Sequence, residues 1–176
     1  MKEQIDPTRD FGCDKTITDR NEFFTIPPQQ AKQIKSLRVE NQTIDNKISV
    51  NYNDIFHPDL EILYFYNCSF VEDGEGILRE CPGVKKVGFI NCNLSYDTLE
   101  SLLISNDPYN NIDVLDLTGN KLGKDPKRFA RILFKTIAQF KTINELILTD
   151  NGFDETIISL IKEEAGNCIE KIILSN

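Results

Sequence analysis

Ile112-Asp113-Val114-Leu115-Asp116-Leu117-Thr118-Gly119-Asn120-Lys121-Leu122 places apolar residues at relative positions 1, 4, 6 and 11 and an amide at position 9. The same frame returns from Ile34 (IKSLRVENQTI), Leu60 (LEILYFYNCSF), Val84 (VKKVGFINCNL), Ile143 (INELILTDNGF) and Ile169 (IEKIILSN). Successive starts lie 26, 24, 28, 31 and 26 residues apart. Self-similarity at such a period marks a solenoid, whose units cannot bury their apolar faces alone and must stack on one another.

Each position in the frame has a physical reason. Side chains alternate along a strand, so positions 4 and 6 share one face and 3, 5 and 7 share the other. The inward pairs are Leu37/Val39, Leu63/Phe65, Val87/Phe89, Leu115/Leu117, Leu146/Leu148 and Ile172/Leu174, apolar without exception. Position 9 follows the strand, where backbone donors and acceptors leave the sheet and need side-chain partners. Its occupants are Gln42, Cys68, Cys92, Asn120 and Asn151. Position 11 is apolar in every copy that reaches it: Ile44, Phe70, Leu94, Leu122 and Phe153.

This frame, with Cys alternating with Asn in its ninth place, resembles the leucine-rich repeat family, and its long irregular copies are most similar to the ribonuclease-inhibitor-like branch. The resemblance covers roughly residues 30 to 176. It implies an α/β leucine-rich-repeat solenoid: a right-handed β-α horseshoe with a parallel sheet on the concave face and helices or irregular segments on the convex face. Residues 31–176 then form a domain of five full copies and a truncated sixth. Gln42 departs from the pattern and is expected to weaken the ladder of position 9 in the first copy.

Between the strands, Asp125-Pro126 pairs a capping carboxylate with proline at the first helical position. Phe129, Ile132, Leu133, Thr136, Ile137 and Phe140 follow at spacings of three and four, predicting a helix over 125–140. Asp154 caps a second helix that buries Ile157, Ile158, Leu160 and Ile161 and closes near Gly166, and Ser95 caps a third reaching Asn106. Ile77-Leu78-Arg79-Glu80-Cys81 allows one turn or two, and Asn51-Tyr52-Asn53-Asp54-Ile55-Phe56 reads as irregular. Residues 1–30 carry no good copy, because a register from Ile5 would turn Thr8 and Asp10 into the core. They are expected to act as an N-terminal capping segment, with Phe11, Phe23, Phe24 and Ile26 covering the first edge.

The net charge of −8 argues against nucleic acid, which favours a basic footprint. No apolar run is long enough to span a membrane, and the first residues lack the apolar stretch of a signal peptide, so a cytoplasmic location is expected. Five cysteines without a C-x-x-C pair, and a single histidine, His57, give no zinc pattern. Neither a cofactor nor a metal is expected, and no catalytic constellation stands out. Cys68 and Cys92 occupy equivalent places in adjacent copies, about 4.8 Å apart, within disulfide range, but free thiols fit the intracellular default. Residues 121–141 carry +6 against −14 for the rest of the chain, as a solvated face paired with Glu155, Glu163 and Glu164 or as a docking surface.

Function is expected on the outward strand positions. Ile62, Tyr64, Tyr66, Ile90 and Val114 fall in neighbouring copies as one apolar patch extended by Ile147 and Ile173, with Arg38, Glu40, Lys86 and Asp116 as a charged rim. The candidate partner-binding residues are Ile62, Tyr64, Tyr66, Lys86, Ile90, Val114 and Asp116. The alternative is that scattered exposed apolar residues are ordinary and that the N-terminal 30 residues, or missing neighbours, cover this face. Three classes of function stay open. One is a non-enzymatic module binding an unidentified protein partner. The resemblance also admits a GTPase-activating or other regulatory accessory protein. The last is a structural subunit self-associating through its open C-terminal strand.

Overall fold

The computed structural model describes residues 12–45, 54–71, 77–104, 112–140, 143–165 and 168–174. Ile5, Thr8, Asp10, Phe11, Asn51 to Asn53, Asn106, Lys141, Gly166 and the last two residues lie outside these, as does the side chain of Phe140. The elements run β1 (Lys15–Ile17), α1 (Glu22–Thr25), α2 (Pro28–Ala31), β2 (Ser36–Glu40), β3 (Thr43–Ile44), β4 (Ile62–Tyr66) and β5 (Ser69–Phe70). They continue as α3 (Ile77–Glu80), β6 (Lys86–Ile90), α4 (Tyr96–Leu103), β7 (Val114–Asp116), a 3-10 turn (Leu122–Lys124), α5 (Pro126–Phe140), β8 (Ile143–Ile147), α6 (Thr156–Ala165) and β9 (Ile169–Ile173).

Seven strands form one parallel sheet in the order β1-β2-β4-β6-β7-β8-β9, so each copy lies beside the one before it. The register follows the sequence frame, with Leu37, Leu63, Val87, Leu115, Leu146 and Ile172 aligned across six strands. Parallel neighbours need a crossover, and described helices lie in every one but that from β2 to β4. Ten of the twelve inward positions are buried, while Ile172 and Leu174 on β9 are only half-buried because no described strand follows them. Phe65 and Phe89 stack with centroids 5.6 Å apart, and Phe70 meets both edge-on at 5.2 and 5.5 Å. Offset and edge-on contacts suit the ring quadrupole, adding about 0.5–1.5 kcal/mol per pair beyond burial.

The helices have the expected caps. Arg128 N donates to Asp125 Oδ1 at 3.0 Å, Thr98 N to Ser95 Oγ at 3.0 Å, and Thr156 N to Asp154 Oδ1 at 2.9 Å. α4 stops at Leu103, short of the expected end. The described helices are short in the N-terminal half, where α1, α2 and α3 have four residues each, and longer where α4, α5 and α6 have 8, 15 and 10.

Three features differ from the sequence expectation. The first lies in residues 1–30, which contribute a strand: β1 pairs with β2, Lys15 opposite Leu37 and Ile17 opposite Val39. Ile17 is fully buried, but Lys15 holds the other inward place, which hides this copy from an apolar search. Asp14 pins the strand by accepting from Lys35 N at 2.9 Å and Ser36 N at 3.0 Å. The second is Gln42, which completes the ladder: its Nε2 donates to Thr18 O at 2.7 Å and Glu40 O at 2.9 Å. The extra methylene of Gln lets the amide reach a carbonyl of the preceding copy.

The third is position 8, which the frame left unassigned. Asn41, Asn67, Asn91, Gly119 and Asp150 all have φ between 51° and 73°. Only Gly enters this left-handed region freely, and Asn and Asp tolerate it best, so the residue choice reports the turn that ends each strand. At position 10, Asn93, Lys121 and Gly152 are left-handed as well, whereas Thr43 and Ser69 instead pair β3 with β5.

Candidate functional site

The frame sets the outward face of the sheet by alternation, and the register sets which residues are neighbours. Ser36, Ile62, Lys86, Val114, Glu145 and Lys171 form one row, and Arg38, Tyr64, Gly88, Asp116, Ile147 and Ile173 the next. Glu40, Tyr66 and Ile90 form a third. The sheet thus brings the seven candidate residues onto three adjacent strands, β4, β6 and β7.

Their exposure divides them. Ile62, Tyr66 and Val114 are half-buried and Lys86 is exposed. Tyr64, Ile90 and Asp116 are buried, at 2%, 8% and 5% exposure, which corrects the expectation that all seven stand open to solvent. Tyr64 sinks because its neighbour lacks a side chain: a Cβ on Gly88 would stand 2.2 Å from Tyr64 Cδ1, so the ring lies directly on that backbone. Asp116 folds back on its own strand end, its Oδ1 accepting from Thr118 N at 3.0 Å and Thr118 Oγ1 at 2.6 Å. The rim charges are largely self-compensated. Arg38 Nε lies 2.5 Å from Glu40 Oε1 with its guanidinium 4.9 Å from the centre of the Tyr66 ring, and Lys171 Nζ meets Glu145 Oε1 at 3.1 Å.

The ladder of position 9 is committed to structure. Asn120 Oδ1 accepts from Cys92 N at 3.1 Å and Leu94 N at 3.2 Å, while its Nδ2 donates to Phe89 O at 2.5 Å and Leu117 O at 2.8 Å. Asn151 repeats the pattern one copy on, toward Asn120 N, Leu122 N, Leu117 O and Thr149 O. Cys68 and Cys92 donate through Sγ to Val39 O at 3.4 Å and Phe65 O at 3.5 Å. Burial raises the Cys68 and Cys81 thiols, and pushes Cys92 up to about 12. A thiol so raised stays protonated and is a poor nucleophile.

His57 is equally occupied. It is buried, with Nε2 3.0 Å from Ile34 O, and its Nδ1 accepts from Asp59 N at 3.3 Å; the two bonds together assign the proton to Nε2. Among the described residues no three His, Cys, Asp or Glu side chains converge as a metal site, and no helix is long and apolar enough to cross a membrane.

Among the described residues, the basic stretch pairs with the helix before it rather than the one after. Arg128 meets Asp97 and lies 5.1 Å from the centre of the Tyr96 ring, and Lys135 Nζ reaches Glu100 Oε1 at 2.6 Å. Tyr96 binds the same junction, donating to Leu122 O at 2.6 Å and accepting from Asp125 N at 2.7 Å.

Compared with protein-family models, the chain matches none. No curated protein matches it significantly. Among solved structures it is similar to the leucine-rich repeat-containing protein LegL7 from Legionella pneumophila, at 14% identity and a TM-score of 0.45, over 90% of this chain and 72% of that chain.

Proposed function

We propose that this repeat protein is a non-enzymatic module that binds a partner protein on the outward face of its sheet, and that this face is concave. The observation that carries the reading is the alignment of half-buried Ile62 and Val114 on either side of exposed Lys86, with half-buried Tyr66 two residues beyond Tyr64 on the same strand. Aromatic and aliphatic side chains held on rigid strands inside a polar rim make low-entropy anchors. Cys68, Cys92 and the one histidine are buried in structural bonds, which favours binding over catalysis. Tyr64, Ile90 and Asp116 form the floor of the surface rather than its contact layer. The five described cysteines are all free, in keeping with a cytoplasmic setting. Self-association through β9 is a weaker reading, since exposed Glu170 and Lys171 guard that edge.

The test starts from a partner captured from the native host and purified, with affinity measured by calorimetry for Tyr66→Ala, Ile62→Glu and, on exposed α5, Phe134→Ala. A central anchor is worth about 2 kcal/mol, or roughly thirtyfold in affinity. The first two variants should lose about that much and the third nothing. Folded Tyr66→Ala and Ile62→Glu proteins that keep full affinity would place the partner elsewhere.

A further inference from the structure

α5 buries Phe129, Ile132, Leu133 and Ile137 in the core. Its opposite crest has a different composition. At about 100° per residue, Lys127, Arg131, Phe134 and Ala138 fall within about 60° of arc, and all four are exposed. Phe134, at 45% exposure, is a large ring turned away from the core.

The cations of this crest are uncompensated. Arg128 and Lys135 lie toward α4, where they pair with Asp97 and Glu100. Among the described residues, Lys127 and Arg131 join no ion pair, and neither do exposed Lys121 and Lys124 on the turn that leads into the helix. The acidic remainder of the chain is attenuated beyond a Debye length, about 8 Å at physiological salt.

An exposed ring by itself is ordinary. A ring beside unpaired cations on one crest fits a surface that is anionic outside and apolar beneath. A phospholipid leaflet has that layering: its phosphates and carboxylates attract Lys and Arg, and an aromatic ring settles at the level of the headgroups. The crest of a helix is convex and offers an acidic protein no recess for an anchor, whereas a leaflet needs none.

We propose that α5 docks the protein on an anionic phospholipid surface, with Lys124, Lys127 and Arg131 over the headgroups and the Phe134 ring set among them. The chain rests on the leaflet and does not cross it. This contact is independent of the partner-binding reading, whose test contains no lipid.

The first measurement is co-sedimentation of the full chain with vesicles of phosphatidylcholine alone or of phosphatidylcholine and phosphatidylserine in a ratio of about 7:3, a strongly anionic surface. Binding should require phosphatidylserine and weaken as salt rises. In Lys127→Gln/Arg131→Gln, which keeps good helix formers at exposed sites, it should fall about thirtyfold, the factor for two cations at an anionic surface. Lys32→Gln/Lys85→Gln removes two exposed cations elsewhere, matches the net charge and should change little. Equal losses in the two variants, or no preference for phosphatidylserine, overturn the proposal. So does salt-sensitive binding to immobilised poly-glutamate without vesicle binding, which assigns the crest to an acidic protein. The second measurement uses the absence of tryptophan from the chain, which makes Phe134→Trp a single reporter. Its emission should shift to the blue on phosphatidylserine vesicles, and an unshifted emission from vesicle-bound protein would put another surface on the lipid and overturn the proposal.

Discussion

Replacing Asn120 by alanine removes the most heavily used side chain of the ladder. Its Oδ1 is the acceptor for Cys92 N and Leu94 N, and its Nδ2 the donor to Phe89 O and Leu117 O. Leu117 O keeps a second donor, Asn151 Nδ2 at 2.8 Å, so its loss is small. The two amides and the Phe89 carbonyl lose partners in a buried turn. An orphaned buried polar group costs about 1–3 kcal/mol, and with partial relaxation the three together come to about 3–5 kcal/mol. Set against a typical total of about 5–15 kcal/mol, that is a large share. Cys92→Ala is the contrast, because its Sγ makes only long donor bonds at 3.4 and 3.5 Å and leaves no amide without an acceptor. It should cost about 1–2 kcal/mol, mainly lost packing. Asn120→Asp divides the effect, keeping both acceptor bonds while losing the donors. Urea unfolding followed by circular dichroism measures all three, the chain having no tryptophan for fluorescence. An Asn120→Ala protein within 1 kcal/mol of wild type, or a Cys92→Ala protein as damaged as Asn120→Ala, would refute the ladder argument.

Thiol titration with a chromogenic disulfide should find five free cysteines after unfolding without reductant. In the native protein half-buried Cys13 and Cys168 should react first and buried Cys68, Cys81 and Cys92 lag; a denatured count of three would mean a disulfide. The edge strand should show an acid dependence of its own. Asp14 is held below its ordinary value of 3.8 by hydrogen bonds from the backbone of Lys35 and then Ser36. Its contribution is complete above that ordinary value and is lost as pH falls through the lower folded value. Asp14→Asn should flatten that part of the stability–pH curve, and an unchanged acid limb would show that the contacts of Asp14 do not stabilise the fold.

The strands, their register and the core were legible because the frame spaces its apolar residues the way a parallel stack buries them, from Leu37/Val39 onward. The caps at Ser95, Asp125 and Asp154 were legible for the same reason: each is a local bond between residues two or three apart. β1 was not, since Lys15 breaks the apolar pattern and its place rests on Asp14 reaching residues 21 and 22 positions away. The left-handed turns were written in position 8 as Asn, Asn, Asn, Gly and Asp, a conformational signal that a search for apolar periodicity passes over.

The candidate surface shows where local rules stop. By itself the sequence determined which side chains face outward, because alternation along a strand is a property of the chain. Only the tertiary structure decided which of them are accessible, because accessibility depends on neighbours in other copies. Gly88 lets Tyr64 lie flat on the sheet, and Thr118 turns Asp116 back on its own strand. The partners of Arg128 and Lys135 were decided the same way, by which helix packs beside α5 with acids in reach, a distance in space that no spacing along the chain encodes.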